Sequence, residues 1–171
     1  AIKIDPNHGD LLYNFALLHF ASRNFDYALV FIDKAIKLSI NNVTYKLLKS
    51  EIYINKFNID EALYILEDLN NNNRIKKDKN KEIRINILLA NAKIKKREFE
   101  EAENILLNLI NKFKGLELAY LNLSILYSDK NQLYKSIEII KKGINVSPNF
   151  MPFYKNLATF YRNSGQIKLA I

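Results

Sequence analysis

The residues able to do chemistry in this chain are few, and their spacing does not favour it. There are two histidines, His8 and His19, and no cysteine. A structural or catalytic metal needs three or four converging His, Cys or carboxylate ligands, so no metal site is expected. His8 reads as a solvated turn residue and His19 as a core or groove-edge side chain. Only four glycines are present, with no P-loop, phosphate cradle or nucleophile elbow among them. Glu98, Glu100, Glu101 and Glu103 form the one carboxylate cluster. Two of these could serve as general acid and base. Four acids at the start of a helix more simply balance the positive end of its macrodipole. We therefore expect neither catalysis nor a cofactor.

The remaining chemical signal is charge. The chain is basic, with a formal net charge of +8. Half of that excess sits between Asn70 and Lys81, where Arg74, Lys76, Lys77, Lys79 and Lys81 face only Asp78. Nucleic-acid grooves interleave cations with stacking aromatics, and this run has no aromatic. It reads as a solvated loop able to make a non-specific electrostatic contact.

The elements that would position any site are helical. Small residues recur at Ala28, Ala62, Ala102, Ser136 and Ala170, spaced by 34, 40, 34 and 34 residues. An apolar residue precedes each by three positions: Phe25, Ile59, Phe99, Leu133 and Ile167. Another small residue precedes each by twelve: Ala16, Ser50, Ala90, Ser124 and Ala158. Three registers in step at this period signify a helical solenoid. Apolar periodicity predicts helices over about 10–22, 26–39, 43–55, 59–69, 81–96, 99–113, 116–129, 133–146 and 150–163. Asn24 and Asn58 stand where N-caps belong, and Gly115 can end the sixth helix in a left-handed turn. The basic 70–81 segment holds the extra six residues and is expected to join the following helix by its last turn. No apolar run approaches the roughly 18 residues of a membrane span.

These residues resemble the tetratricopeptide repeat family. Tyr120, Leu123, Ser124, Tyr127, Leu133, Ser136, Ile140, Gly143 and Pro148 carry the pattern best, and Leu12, Phe15, Ala16, Phe25, Ala28, Ile32 and Ala35 repeat it. Departures occur at Lys49, where a Leu is expected, and at Lys93, where a Tyr is expected. The resemblance implies an all-α fold: a right-handed α-solenoid of stacked antiparallel helix pairs. One array would fill residues 1–171. It would hold the tail of a truncated repeat at 1–8 and repeats at 9–42, 43–76, 83–116 and 117–150. Residues 77–82 would belong to the basic insertion, and 151–171 would be a partial repeat. Both chain ends read as cuts through a longer array. Ile2, Ile4, Leu169 and Ile171 would then lack stacked neighbours and drive end-to-end association.

In such an array the first helices line a concave wall. Counting around them gives Tyr13, Asn14, Leu17 and Phe20, then Leu47, Leu48 and Glu51, then Ile87 and Asn91, then Leu121, Asn122 and Ile125, and finally Asn156. Asn14, Asn122 and Asn156 share one register, and an Asn amide can both donate to and accept from a peptide backbone. With apolar neighbours, this describes a groove for a peptide segment. The family's two-cation clamp for acidic chaperone tails is incomplete. Asn91 and Asn122 fit it, but Ile87, Pro152 and Asn156 stand at its cation positions. The expected function is a non-catalytic protein-interaction scaffold, part of a multiprotein complex, inside the cell in cytoplasm or nucleus. Two alternatives remain. The array could select substrates for a larger enzyme such as a glycosyltransferase, or it could bind RNA or an acidic surface through the basic loop.

Overall fold

The computed structural model describes residues 8–166, and Lys76 by its backbone only. Pro6 and Asn7, whose sequence predicts a turn before α1, and the association expected through Ile2, Ile4, Leu169 and Ile171 lie outside the described residues. The helices are α1 (Gly9–Ala21), α2 (Phe25–Leu38), α3 (Val43–Asn55), α4 (Ile59–Asn71), α5 (Lys79–Lys95), α6 (Phe99–Lys112), α7 (Glu117–Asp129), α8 (Leu133–Val146) and α9 (Met151–Asn163). A 3-10 turn at Ile75–Lys77 precedes α5. No strand occurs among the described residues. The fold is an all-α helical-repeat solenoid. Three-residue turns close each helix pair, and four residues link successive pairs, except for the seven between α4 and α5.

The chain forms two compact units, residues 1–88 and 89–171. In the first, α1 pairs with α2, α2 and α1 both touch α3, and α3 pairs with α4. Its core joins Leu12, Ala16, Ala28, Ile32 and Ala35 to Tyr45, Leu48 and Ile52. In the second, α6 packs on α7, α7 pairs with α8, and both α7 and α8 touch α9. There Ile137 and Ile140 of α8 meet Phe153, Phe160 and Tyr161 of α9.

The recurring small residues sit where helices approach. Ala16, Ala28, Ala62, Ala90 and Ala102 are fully buried, as are Ser50, Ser124 and Ser136. Ala158 is half-buried, and Ala170 lies outside the described residues. A buried hydroxyl must find an acceptor. Ser50 Oγ donates to the Lys46 carbonyl (2.9 Å), Ser124 Oγ to Leu121 (2.6 Å) and Ser136 Oγ to Gln132 (3.3 Å). Each serine thus satisfies itself within its own helix and presents only its small volume to the neighbour.

The four pair-closing turns and the turn that follows α9 have one backbone form. Arg23, Phe57, Arg97, Asn131 and Gly165 have φ of 60°, 62°, 67°, 58° and 77°. In each, the following amide donates to a carbonyl five residues back: Asn24 to His19, Asn58 to Tyr53, Glu98 to Lys93, Gln132 to Tyr127 and Gln166 to Tyr161. With the companion bond from the left-handed residue's own amide, this is the Schellman motif. A residue with a Cβ is strained there, by roughly 1–2 kcal/mol. Phe57 recovers little through burial, since it is 75% exposed. Phe57→Gly is expected to stabilise the protein by up to about 1 kcal/mol after glycine's own entropic cost. A rise in the urea midpoint checks this, and an unchanged or lowered midpoint refutes it.

The two expected N-cap bonds do not form. Asn24 and Asn58 occupy N-cap positions without a side-chain cap bond. Asn58 Nδ2 reaches Glu61 Oε1 instead, at 3.5 Å. Asn42 does cap, accepting from the Thr44 and Tyr45 amides at 3.0 and 3.3 Å. Gly115 has φ of 84°. It lies two residues beyond the helix cap at Phe113, so it shapes the link to α7.

Candidate peptide-docking surface

The first-helix wall is best taken unit by unit. On α1, Asn14 is exposed while Tyr13, Leu17 and Phe20 are half-buried against the core. Tyr13 stacks on Tyr45 with ring centroids 5.4 Å apart, and the Tyr45 hydroxyl donates to Asp10 Oδ1 at 2.6 Å. The hydrogen bond to Asp10, then burial, pushes the Tyr45 phenol up to about 12. On α3, Leu47 and Leu48 are buried, and on α5 so is Ile87. These three are therefore core, not wall. Apolar residues surround both helices, and Leu48 is drawn into the cluster shared with α1 and α2. Glu51 accepts from Arg84 Nη2 at 3.3 Å, which ties α3 to α5 within the first unit.

In the second unit Asn91 of α5 is half-buried. On α7, Leu121, Asn122 and Ile125 are half-buried, and Leu118 is exposed. The opposite side of α7 carries the buried Ala119, Leu123, Ser124, Leu126 and Tyr127. The helix is thus apolar on both sides, and the second side is only partly covered: Leu121 packs against the cluster shared by α8 and α9, while Leu118 is exposed. Residues 118, 121, 122 and 125 follow the i, i+3, i+4, i+7 spacing of one helix face. On α9, Asn156 Nδ2 donates to the Pro152 carbonyl at 2.9 Å, so part of its amide is committed within its own helix.

Two of the positions that break the repeat pattern, Lys49 and Lys93, are built into ion pairs. Lys49 bonds Asp33 of α2 at 2.7 Å and lies 5.5 Å from the centre of the Tyr53 ring. Lys93 bonds Glu98 at 2.7 Å and Glu101 at 2.8 Å. Burial disfavours the Lys93 ammonium, but its hydrogen bonds to Glu101 and Glu98 more than offset this and hold the group above the usual lysine range. Glu98 is held below the usual carboxylate range, chiefly by its bond to Lys93. Glu103 accepts from the Tyr127 hydroxyl at 2.6 Å and from Lys130 at 3.2 Å. Burial and the Glu103 bond raise the Tyr127 phenol to about 12. Glu98, Glu101 and Glu103 therefore have cationic or phenolic partners, a role that their macrodipole position alone did not reveal.

The basic segment is ordered by its own backbone. Ile75 is buried, and the 3-10 turn around it touches α4. Asp78 caps α5, accepting from the Asn80 and Lys81 amides at 3.1 and 3.2 Å. Arg74, Lys77, Lys79 and Lys81 are exposed, and Lys81 pairs with Asp78 at 2.9 Å. As expected, the last part of the insertion joins the next helix, which begins at Lys79. His8 is exposed. His19 stacks on Tyr27 and Phe31 at 5.4 and 5.3 Å. Among the described residues no group of three or more His, Cys, Asp or Glu could hold a metal ion. No described helix is long and apolar enough to cross a membrane.

Comparison with known proteins agrees with this architecture. Residues 118–150 match the tetratricopeptide repeat family model. No curated protein matches the sequence. Among solved structures, the thermophilic TPR protein TTC0263 of Thermus thermophilus is similar with a TM-score of 0.79 at 14% identity, over 95% of this chain and 86% of that one. A tetratricopeptide repeat protein of Parabacteroides merdae gives a TM-score of 0.82 at 16% identity, over 95% and 61%. YrrB, described as a TPR protein with an unusual peptide-binding site, gives 0.57 at 17% identity, over 98% and 83%.

Proposed function

We propose that this chain, whose fold is that of tetratricopeptide repeat proteins, is a non-catalytic protein-interaction scaffold that holds a peptide segment of a partner on the open face of α7, a first helix of its repeats. The observation that carries the proposal is the second apolar side of α7. Leu118, Leu121, Asn122 and Ile125 form a stripe left partly open to solvent. An apolar stripe left open marks a docking surface. Asn122 lies within it, an amide able to bond a peptide backbone in both directions. Asn14 offers a comparable amide on α1, where it is exposed. The peptide-binding site described for YrrB lends this reading a precedent within the fold. The buried Leu47, Leu48 and Ile87 take no direct part, and Tyr13 contributes mainly by holding Tyr45.

The test uses peptides selected by phage display against the intact chain, with affinities measured by fluorescence anisotropy. Asn122→Ala/Ile125→Asp is expected to weaken the selected peptides by about tenfold or more, the loss of roughly 1.4 kcal/mol that one anchor contributes. Circular dichroism should show the helices unchanged. Undiminished affinity in this variant would refute the α7 surface as the docking site.

A further inference from the structure

We infer that the side of α1 bearing Leu11 and Leu18 docks an amphipathic helix of a partner protein, one with apolar residues at i, i+3 or i+4, and i+7. This face is separate from the α7 surface and does not depend on it. The repeat register picks it out. Leu18 stands two residues after the small anchor Ala16, a place held by Ile52 in α3, Ala92 in α5, Leu126 in α7 and Phe160 in α9. Those four are at most 3% exposed, whereas Leu18 is 61% exposed. Leu11 stands five residues before the anchor. Its counterparts Tyr45, Ile85, Ala119 and Phe153 are all buried, while Leu11 is half-buried. The two leucines are seven residues apart, so they share one side of α1 two turns apart. A helix that ends a stacked array carries a polar outer face. α1 carries leucines there instead, and among the described residues it touches only α2 and α3.

The other first helices show what covers this face. α2 packs on α3, α6 on α7 and α8 on α9. Tyr45 and Ile52 share a cluster with Ala28, Ile32 and Ala35 of α2, and Ile36 packs against it. Phe153 and Phe160 share one with Ile137 and Ile140 of α8, and Ile144 packs against it. Each covering helix thus presents alanine or isoleucine at i, at i+3 or i+4, and at i+7. That is the anchor spacing of a helix laid into an apolar groove. A second copy of this chain has no such helix to spare. Ile32, Leu66, Leu106 and Ile140 hold the same central place on α2, α4, α6 and α8, and all four are fully buried. A second copy could present them only by opening its own core. The occupant is therefore a partner's helix, built like α2 or α8.

The experiment is an NMR titration of the ¹⁵N-labelled chain with an acetylated and amidated peptide of the α8 sequence, residues 133–146. In parallel it uses the same peptide carrying Ile137→Gln, Ile140→Gln and Ile144→Gln. The first peptide is expected to shift the amide signals of residues 11, 14, 15 and 18 saturably, and the second to leave them in place. Leu18→Glu in the chain should weaken the titration about tenfold or more. Its spectrum should otherwise match the wild type, because the side chain lies in solvent. Asn122→Ala/Ile125→Asp must leave the titration unchanged, so failure of the α7 surface and failure of the α1 face are read separately. Equal shifts from both peptides, shifts confined to α9 through displacement of the chain's own α8, or a titration that survives Leu18→Glu would overturn the inference. Sedimentation of the chain alone tests the other occupant. Self-association abolished by Leu18→Glu would give the face to a second copy and overturn its assignment to a partner.

Discussion

Gly143→Ala destabilises the wild-type protein and stabilises it once Phe153 has been cut back to alanine. Gly143 lies inside α8, where alanine should favour the helix by about 1 kcal/mol. A Cβ built there, however, would stand 2.6 Å from Phe153 Cζ and 2.9 and 3.0 Å from two further ring atoms. Both residues are buried, and Phe153 has no exposed surface into which its ring could swing. Overpacking of this kind costs about 1–3 kcal/mol, so the clash outweighs the helix propensity. Phe153→Ala alone is expected to cost about 3–5 kcal/mol through lost burial and the cavity it leaves. In that background the alanine at 143 meets no ring, and its effect should change sign. Urea unfolding of the four members of this double-mutant cycle provides the check. Additive effects would show that the ring and the glycine do not depend on each other.

The second large effect lies at Lys93. Lys93→Met removes the ammonium that joins Glu98 and Glu101 at 2.7 and 2.8 Å, while keeping most of the side-chain volume. The expected loss is about 1–3 kcal/mol, below that of a fully buried pair because Glu101 remains in contact with water. It has a pH signature. The bond from Lys93 depresses the Glu98 carboxyl, so its stabilisation is present above the unfolded value near 4.3 and disappears as pH falls through the folded one. The wild-type protein should therefore lose more stability than Lys93→Met between about pH 7 and about pH 3. An equal acid loss in both proteins would contradict the assignment.

Much of this fold can be read from the chain because its periodicity is carried by volume. Ala16, Ala28, Ala62 and Ala102 mark close helix approaches, and close approach leaves no alternative to a small residue. The predicted helix ends agree with the structure to within two residues for the same reason. The pair-closing turns are not legible. Arg23, Phe57, Arg97 and Asn131 share a backbone conformation but no side-chain chemistry, and only Gly165 hints at it. The wall is half legible. Counting around α3 and α5 cannot tell which apolar side meets a neighbour, so it assigns Leu47, Leu48 and Ile87 to the wall although they are core. Lys93 stands out as a departure, but its compensation by Glu98 and Glu101 depends on where α6 begins in space.

The turns that close each helix pair have a bearing on how this chain can vary. Their hydrogen bonds run from main chain to main chain, so identity at positions 23, 57, 97 and 131 is restricted by torsional accessibility and hardly at all by polarity, charge or size. Saturation libraries there should accept arginine, phenylalanine or asparagine almost interchangeably, reward glycine and exclude valine, isoleucine and threonine. Each of the two units of a protein with this rule carries chemically permissive tips, where new recognition residues can be tried without unsettling the helices beneath them.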